Sequence, residues 1–297
     1  MILTREEQRA YVKRLGIADI SAPTKSYLFE LQKAHVHKLP WQTLDIFAGK
    51  PTTIEPRETV QMVIAGRSGY CFHLNGAFAA LLRSLGYKVS MHRAGVQPLG
   101  EAPRVNSFHL GLTVQLTNDA GEEENWLVDV GLGDMPVEPL PMRFGVYEQS
   151  PYTHKLLPSS VAAGGWRLDH DPEANFAGVD FAPEVVEDIR VFQPNHEHYC
   201  HSADSPWINL FLIRNRSEQA SNELRGCIWR KHDKDGIRKM EIESKAMWLE
   251  LLGDMFGEHL VHYNSLERDA IWQKVCAKHE EWKRAQEREA GRTETTM

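Results

Sequence analysis

The sequence predicts an α+β fold of several domains, because the pattern of apolar residues changes twice along the chain. Residues 1 to about 87 show helical periodicity, with apolar residues three and four positions apart. From about residue 87 to 204, short alternating segments are separated by proline and glycine, which is typical of strands and turns. The rest of the chain mixes both patterns. The 297 residues, 42% of them hydrophobic, are enough for one large domain or two to three small ones.

Helices are predicted in the first block at 5–15, 24–37 and 58–64, and a further one begins at Cys71. The helix at Cys71 has one apolar stripe, formed by Leu74, Phe78, Leu81, Leu82 and Leu85. Gly86 is a stop signal just beyond it. After residue 204, strands are predicted at 227–230 and 238–242 and helices at 245–252 and 265–289. The charged stretch from Lys283 onward is expected to fray into solvent.

Cys71 stands at the start of a predicted helix, which makes it the strongest candidate nucleophile in the sequence. The positive end of a helix favours the thiolate over the thiol, and the thiolate is the reactive form. Gly69 lets the chain turn sharply before the helix, so that the sulfur can approach a substrate closely. The alternative is a buried, inert cysteine, which is the ordinary state of a lone cysteine in a soluble protein.

Two predicted strands after this helix place a histidine near an aspartate. Residues 106–116 alternate between apolar and polar, and His109 lies on the more polar face. The second strand covers 125–130, after turn residues 118–121. In a hairpin that closes around Asp119, His109 and Asp129 are equally far from the turn and face each other, unless a bulge shifts the register by one.

A buried aspartate orients a facing histidine and keeps it basic, which is what the removal of a proton from a thiol requires. Taken singly, His109 is equally well a strand histidine bonded to its neighbours, and Asp129 a turn or ion-paired carboxylate. The combination with Cys71 favours a Cys-His-Asp triad, so the predicted core is cysteine-protease-like.

The segments that carry these residues resemble the arylamine N-acetyltransferase family. They are Arg67-Ser68-Gly69-Tyr70-Cys71-Phe72-His73-Leu74-Asn75, His109-Leu110-Gly111-Leu112-Thr113-Val114 and Leu127-Val128-Asp129-Val130-Gly131-Leu132-Gly133. Further agreement occurs at 11–17, 31–35, 39–46, 137–140 and 205–207, so that the resemblance extends from the start of the chain to about residue 215.

The resemblance implies a helical domain at 1–87 that carries the nucleophilic cysteine, and a β-barrel domain at 88–204 that carries the histidine and aspartate. It implies an α/β lid with a C-terminal helix at 205–297. In this family pattern Cys71 accepts the acyl group, His109 is its base and Asp129 orients His109. The site then lies at a domain junction, where ligand clefts are common.

Acetyl-coenzyme A is the implied acyl donor, used as a substrate, and the acceptor is an arylamine or hydrazine; no metal is implied. Candidate residues of the acceptor pocket are Trp41, Phe72, Phe108 and Leu132. Core packing explains any one of these aromatic residues about as well. Candidate contacts to coenzyme A are Gly131, Gly133, Ser202 and Trp207. The two glycines offer backbone amides to a phosphate, although ordinary loop chemistry explains them equally well.

The sequence departs from the family pattern around the site at Ser68, Gln42, Thr43, His73 and Leu132. Ser68 replaces the first glycine of Arg-Gly-Gly, and Gln42 and His73 stand where carboxylates are common. Without those carboxylates, Arg67 needs another acidic partner. The departures leave the triad intact and bear on the acceptor pocket, and therefore on the substrate.

Composition disfavours several other classes of protein. Lys and Arg total 34 against 41 Asp and Glu, and a net charge of −7 argues against sequence-independent nucleic-acid binding. The sequence has no long apolar run and begins with charged residues, so neither a membrane span nor a secretory signal is expected. The four cysteines are widely spaced, which favours a reducing cytoplasm. Because coenzyme A is polyanionic, the donor requires a locally basic site.

One segment resembles a metal cluster, namely His196-Glu197-His198-Tyr199-Cys200-His201. On a strand, His196, His198 and Cys200 share one face. Since no second group of ligands in the sequence complements them, a metal site is not favoured.

The first hypothesis is therefore an acetyl-coenzyme A:arylamine N-acetyltransferase of xenobiotic metabolism that works by a ping-pong route through acyl-Cys71. A second is an amide synthase of natural-product biosynthesis, which takes a longer acyl group from a carrier protein. A third is a cysteine hydrolase, in which water takes the acyl group, and a fourth is a non-catalytic binding protein that keeps the fold. The physiological amine, the acyl length and the oligomeric state are not indicated by the sequence.

Overall fold

The computed structural model describes residues 1–118 and 120–294, without the side chains of 289–294. Its first part is mainly helical, as predicted. The elements are α1 (Arg5–Arg14), α2 (Lys25–Lys38), β1 (Trp41–Gln42), α3 (Leu44–Phe47), α4 (Pro56–Ile64) and α5 (Cys71–Ser84). The two short elements β1 and α3 are not predicted by the sequence pattern.

Helix α1 begins at a capping box, in which the Thr4 hydroxyl accepts from the Glu7 N–H and the Glu7 carboxylate accepts from the Thr4 N–H. Helix α5 begins differently, because the residue before it, Tyr70, makes no side-chain cap. All residues of α5 from Cys71 to Leu82 are buried. It is therefore the central helix of the main core, with its first turn left uncapped.

The second part of the chain forms one antiparallel sheet, in agreement with the predicted barrel. Its strands are β2 (Lys88–Gln97), β3 (His109–Thr117), β4 (Glu123–Val128), β5 (Leu140–Pro141), β6 (Gly145–Gln149), β7 (Tyr152–Pro158), β8 (Trp166–Asp169) and β9 (Gly178–Val186), in the order β5-β4-β3-β2-β9-β8-β7-β6. The two edge strands, β5 and β6, are separated in the chain by residues 142–144 alone. The sheet therefore curls until its edges approach each other, which gives a nearly closed barrel.

The β3–β4 hairpin has a different register from the predicted one. Leu112 pairs with Val128, which shifts the pairing by two residues from the prediction and ends β4 before Asp129. The predicted turn residue Asp119 lies outside the described residues. Since a shift of two preserves the face on which each side chain lies, the error does not move His109 to the other side of the sheet.

The rest of the chain mixes helices and strands, and this mixture begins at residue 189 rather than after residue 204 as predicted. After a 3₁₀ turn at Ile189–Phe192 come α6 (Gln193–His201), α7 (Pro206–Asn209), β10 (Leu212–Arg216), β11 (Ala220–Arg225), β12 (Ile228–Asp233), β13 (Gly236–Glu241), α8 (Lys245–Phe256) and α9 (Ser265–Glu294). The strands form an antiparallel sheet in the order β1-β10-β11-β12-β13, so the first part contributes the edge strand β1. The proposed division of the chain at residues 87 and 204 stays a prediction.

Two expectations for this part are wrong. Residues 196–201 form most of α6 rather than a strand, because the preceding 3₁₀ turn and Pro194 start a helix. His196 and Cys200 share a helix face, with the Cys200 Sγ 3.6 Å from the His196 Nε2, while His198 lies on a different side. The charged stretch from Lys283 does not fray at once, since α9 continues to Glu294.

The structure has two hydrophobic cores. The larger one packs α5 against the barrel, and the smaller one packs α8 and α9 against the five-stranded sheet around Trp248 and Phe211. None of the helices in the described ranges is long and apolar enough to cross a membrane.

We expect Leu82→Ala to lower the free energy of unfolding by about 2–5 kcal/mol, because Leu82 is completely buried in α5 and its loss leaves a cavity. The matched control is Leu266→Ala, at a leucine that is 79% exposed, for which the change should stay within about 0.5 kcal/mol. Urea unfolding followed by circular dichroism measures both. Equal losses in the two variants would contradict the placement of the core.

Candidate active site

Cys71 is the first residue of α5 and lines a small cavity of about 90 Å³. Its Sγ lies 3.7 Å from the carbonyl oxygen of Phe108, and the side chain is largely shielded from solvent. The uncapped first turn of α5 places its backbone N–H groups beside the sulfur. The cavity also contains His109, so the predicted nucleophile and base share one space.

His109 and Asp129 form a buried pair, with 2.7 Å between the His109 Nε2 and the Asp129 Oδ2. Each side chain is only 1% exposed. Because Nε2 is engaged by the carboxylate, Nδ1 is the ring nitrogen left for the Cys71 thiol. The predicted contact is present, although the residues meet diagonally beyond the end of β4 rather than directly across a ladder.

The pKa of His109 is raised to about 10. Burial alone would lower this pKa, but the Asp129 carboxylate and the Cys71 sulfur stabilise the imidazolium more strongly. His109 is therefore protonated at neutral pH. Such a protonated histidine is the partner that a cysteine thiolate requires.

Asn75 holds the aspartate in place and was assigned no role from the sequence. Its Nδ2 donates to the Asp129 Oδ1 at 3.0 Å and to the Leu110 carbonyl at 2.7 Å. Its Oδ1 accepts from the Val130 N–H at 2.9 Å. The available signal was its spacing, because Asn75 lies four residues after Cys71 and therefore on the same face of the helix.

Gly131 completes the support of Asp129, since its N–H donates to the Asp129 Oδ1 at 2.8 Å. A side chain at this position would meet the Cys71 Cα and the Asn75 amide, each at 2.8 Å. Glycine is therefore required because the loop after β4 passes directly against the start of α5.

Five of the predicted binding residues line the cavity, namely Trp41, Phe108, Gly131, Leu132 and Trp207. Phe72 does not line the cavity. One helical step beyond Cys71 turns its side chain into the core, where it packs against Phe192 and Tyr199. The binding role of each of these residues stays a prediction.

Two residues predicted to contact coenzyme A also lie outside this cavity. Ser202 ends α6, and its Oγ accepts from the Asp204 N–H at 3.2 Å. Gly133 has a positive φ of 84°, and a side chain there would come within 2.7 Å of the Arg214 Cδ. Its visible role is thus to make room for Arg214.

Arg67 finds the acidic partner that the sequence left open. Its Nη2 lies 2.5 Å from the Asp45 Oδ2, and the Tyr263 hydroxyl donates to the other oxygen of Asp45 at 2.6 Å. His73 is neutral, because burial first and the neighbouring His196 second lower its pKa to about 3. The Gln42 Nε2 donates to the Ser68 carbonyl at 2.9 Å. Gln42 and His73, two of the departures from the family pattern, are therefore buried and uncharged, and Asp45 supplies the carboxylate that Arg67 needs.

Sequence reasoning missed several residues of the cavity wall, which are Tyr70, Val96, Phe176, Tyr199 and Arg214. Tyr199 lies in the segment that resembled a metal cluster, and its hydroxyl donates to the Phe108 carbonyl at 3.4 Å. In the described part of the chain, no group of three or more histidine, cysteine, aspartate or glutamate side chains is arranged to hold a metal ion.

A larger cleft of about 950 Å³ adjoins the cavity across an ion pair, since Arg214 lines the cavity and its partner Glu223 lines the cleft. The basic side chains that line it are Arg225, Arg230, Lys239 and Lys278. The side chains of Arg225 and Lys239 have no hydrogen-bond or ion-pair partner within the described ranges, whereas the carboxylates Glu223, Glu241 and Glu281 are all paired. The cleft is therefore locally positive in a chain of net negative charge.

Comparison with known proteins gives consistent matches. A family model described as N-acetyltransferase matches residues 26–264. An arylamine N-acetyltransferase of Mycobacterium bovis is 32% identical over 272 residues, which are 90% of this chain and 93% of that protein. An arylamine N-acetyltransferase / N-hydroxyarylamine O-acetyltransferase of Salmonella typhimurium is 33% identical over 150 residues, 48% of this chain and 50% of that protein, so this match spans half the relative's length.

Among solved structures, the arylamine N-acetyltransferase of Mycobacterium marinum in complex with CoA has a TM-score of 0.79 and 23% identity, covering 90% of this chain and 98% of that one. At 23% identity, this similarity shows that the two chains share a fold.

We expect His109 to stay protonated until about pH 10 and to lose its proton above that. Since this pKa lies above the ordinary value of 6.5, protonation stabilises the fold fully below about pH 6.5, and the stabilisation is lost as pH rises towards 10. In Asp129→Asn the strongest of the groups that raise the pKa of His109 is gone, so the ring should lose its proton at a much lower pH than in the wild type. NMR of imidazole-labelled protein measures this. His35, with a burial-lowered pKa of about 3, is the internal control. A wild-type His109 that titrates near 6.5 would contradict the pairing.

Proposed function

Because the chain belongs to the arylamine N-acetyltransferase family and is therefore an acyltransferase, we propose that it moves an acetyl group from acetyl-coenzyme A to an arylamine or hydrazine through Cys71. The observation that carries this proposal is the His109–Asp129 pair, 2.7 Å apart, whose histidine shares one cavity with a cysteine at an uncapped helix start. Acyl transfer through a thioester needs a nucleophilic thiolate, a base beside it and a group that orients the base, and Cys71, His109 and Asp129 are suited to these three roles.

In the first half-reaction the Cys71 thiolate attacks the carbonyl carbon of the donor thioester. The bond between this carbon and the sulfur of coenzyme A breaks, and the leaving thiolate takes the proton from the His109 imidazolium. The products are acetyl-Cys71, neutral His109 and coenzyme A as its thiol. Asp129 stays ionised throughout and holds the ring in position, as Asn75 and the Gly131 N–H hold Asp129.

In the second half-reaction the amine nitrogen attacks the acetyl carbon on Cys71. His109 accepts the proton that the nitrogen loses, and the sulfur leaves as a thiolate. The amide product departs and the thiolate–imidazolium pair is restored, so the two substrates react in turn.

Each half-reaction passes through a tetrahedral oxyanion, for which the Cys71 N–H is a suited donor. No hydrogen bond from this N–H to another group occurs within residues 1–118 and 120–294. The positive end of α5 adds to the stabilisation.

The aromatic walls of the cavity suit a flat acceptor. Trp41 and Trp207 meet edge to face with their ring centroids 5.4 Å apart, and Phe108 lies on the same cavity. Aromatic walls with few polar groups are typical of pockets for aromatic ligands.

The basic cleft is our proposed place for the phosphates of the donor. It meets the need for a local positive site despite the net charge of −7, and it reaches the cavity wall at Arg214 and Glu223. Its Arg225 and Lys239 side chains have no ion-pair partner among the residues that the structure describes. Four free, widely spaced cysteines accord with a cytoplasmic location, and we extend the proposal to xenobiotic amines as acceptors.

Brief exposure to acetyl-coenzyme A should add one acetyl group at Cys71, detected by intact mass and peptide mapping, and an arylamine should remove it. Cys71→Ala should show no adduct. Cys200→Ala is the matched control at another buried cysteine, and this variant should still be acetylated at Cys71.

An absence of adduct on folded protein would contradict acetyl-coenzyme A as the donor and would favour an acyl group delivered by a carrier protein. Loss of the adduct to water, with no amide formed from any amine, would favour a hydrolase instead.

The double variant Arg225→Gln with Lys239→Gln should raise the KM for acetyl-coenzyme A roughly tenfold, because two cations that face the phosphates are lost, while kcat changes little. With S-acetyl-N-acetylcysteamine, a thioester without phosphates, the double variant should match the wild type. Lys234→Gln, at an exposed lysine outside the cleft, serves as the control. An equal effect on both donors would contradict a role in phosphate binding.

A further inference from the structure

The wall of the catalytic cavity contains one cation that the proposed chemistry does not use. Among the described residues that line this cavity, Arg214 and His109 are the only ones able to carry a positive charge. Arg214 is 9% exposed, so its charge is held in a largely apolar space. Burial of a charge is costly unless partners compensate it, so its position needs an explanation.

Several elements hold Arg214 at this place. In the sheet it pairs with Trp41 on one side and Glu223 on the other. The guanidinium carbon lies 5.6 Å from the centre of the Trp41 ring. Gly133 leaves the space that the aliphatic stem of Arg214 fills.

Glu223 occupies only one side of the guanidinium. The Nε and Nη2 of Arg214 lie 2.6 and 2.5 Å from the same oxygen, the Glu223 Oε2. Nη1 has no hydrogen-bond partner in the described part of the chain, and it is not among the fully enclosed unpartnered atoms. One edge of a positioned guanidinium is therefore free to bind a ligand.

On this basis, and resting on the proposed function, we propose that Arg214 is a specificity residue that recognises a carboxylate on the substrate. A guanidinium binds carboxylates in a defined geometry, and the surrounding aromatic walls strengthen the attraction by excluding water. The carboxylate has two possible sources. It belongs either to the acceptor, as in an aminobenzoate, or to the transferred acyl group, as in the half-thioester of a dicarboxylic acid.

A purely structural role is the competing explanation, because the Arg214–Glu223 pair also ties β10 to β11. The two roles differ in what Glu223→Gln does. If Arg214 serves binding, removal of the competing carboxylate frees the guanidinium and increases selectivity for carboxylates. If the pair is only structural, Arg214→Gln and Glu223→Gln impair all substrates alike.

For the acceptor, kcat/KM is measured with 4-aminobenzoate and with its neutral analogue 4-aminobenzamide, using acetyl-coenzyme A as donor. The wild type should prefer the carboxylate, and the ratio of the two values should fall about tenfold or more in Arg214→Gln, the effect of losing a hydrogen bond to a charged group. The ratio should rise in Glu223→Gln and be partly kept in Arg214→Lys. Arg214→Gln with Glu223→Gln removes both members of the ion pair together and should show the same fall.

For the acyl group, malonyl-coenzyme A is compared with acetyl-coenzyme A at a fixed neutral amine in the same variants. A fall of the malonyl-to-acetyl ratio in Arg214→Gln, with no change in the acceptor ratio, supports the acyl carboxylate as the ligand. A fall of the acceptor ratio alone supports the acceptor carboxylate. If neither ratio changes by more than about twofold in the double variant, the proposal is overturned.

Calorimetry tests the role of Arg214 independently of the proposed acetyl transfer, because it needs no turnover. Titration of benzoate and of benzamide into Cys71→Ala, with and without Arg214→Gln, should show tighter binding of benzoate that Arg214→Gln abolishes. A wild type that forms no acetyl-Cys71 would defeat the proposed function, yet this binding result would still decide the role of Arg214. Equal binding of both ligands in the presence of Arg214 would overturn it.

Discussion

The buried pair of His109 and Asp129 is the interaction on which the rest of the site depends. Two ionised groups that are each 1% exposed are stable only if every remaining oxygen and proton has a partner. Asn75 and the Gly131 N–H supply the partners of the carboxylate, and the Cys71 sulfur supplies one for the imidazolium. Helix α5, strand β3 and the loop after β4 therefore meet at this pair. The same requirement excludes a side chain at residue 131, where the loop touches the helix.

Two other regions of the structure show how charges are arranged around the site. Behind Cys71, the neutral His73 and Gln42 stand where carboxylates are common in the family, and Asp45 carries the negative charge that balances Arg67. Beyond the cavity, the cleft is lined by Arg225 and Lys239, whose side chains have no partner among the described residues, although the chain as a whole is acidic. In the proposed function, the polyanionic donor therefore meets this positive surface, and its acyl group enters a space with few charges.

The small strand β1 links these regions. It comes from the helical first part, yet it forms the edge of the C-terminal sheet, so that Trp41 stands beside Arg214. The cavity wall is therefore built from all three parts of the chain, and the ion pair between Arg214 and Glu223 divides the cavity from the cleft. A change in the C-terminal sheet consequently acts directly on the space beside Cys71.

The sequence by itself determined the α+β class and the helix that begins at Cys71, and it singled out His109 and Asp129 as a candidate pair, although from a hairpin register that differs by two residues from the one in the structure. These follow from periodicity and from local chemistry, which are encoded by neighbours in the chain. Tertiary structure alone decided the hairpin register, the helical state of residues 196–201, the burial of Phe72 and the position of Arg214. Each of these depends on contacts between residues far apart in sequence, such as Trp41 with Arg214 or Gly133 with Arg214. Local patterns do not specify such contacts, because the same residues satisfy several pairings until packing selects one.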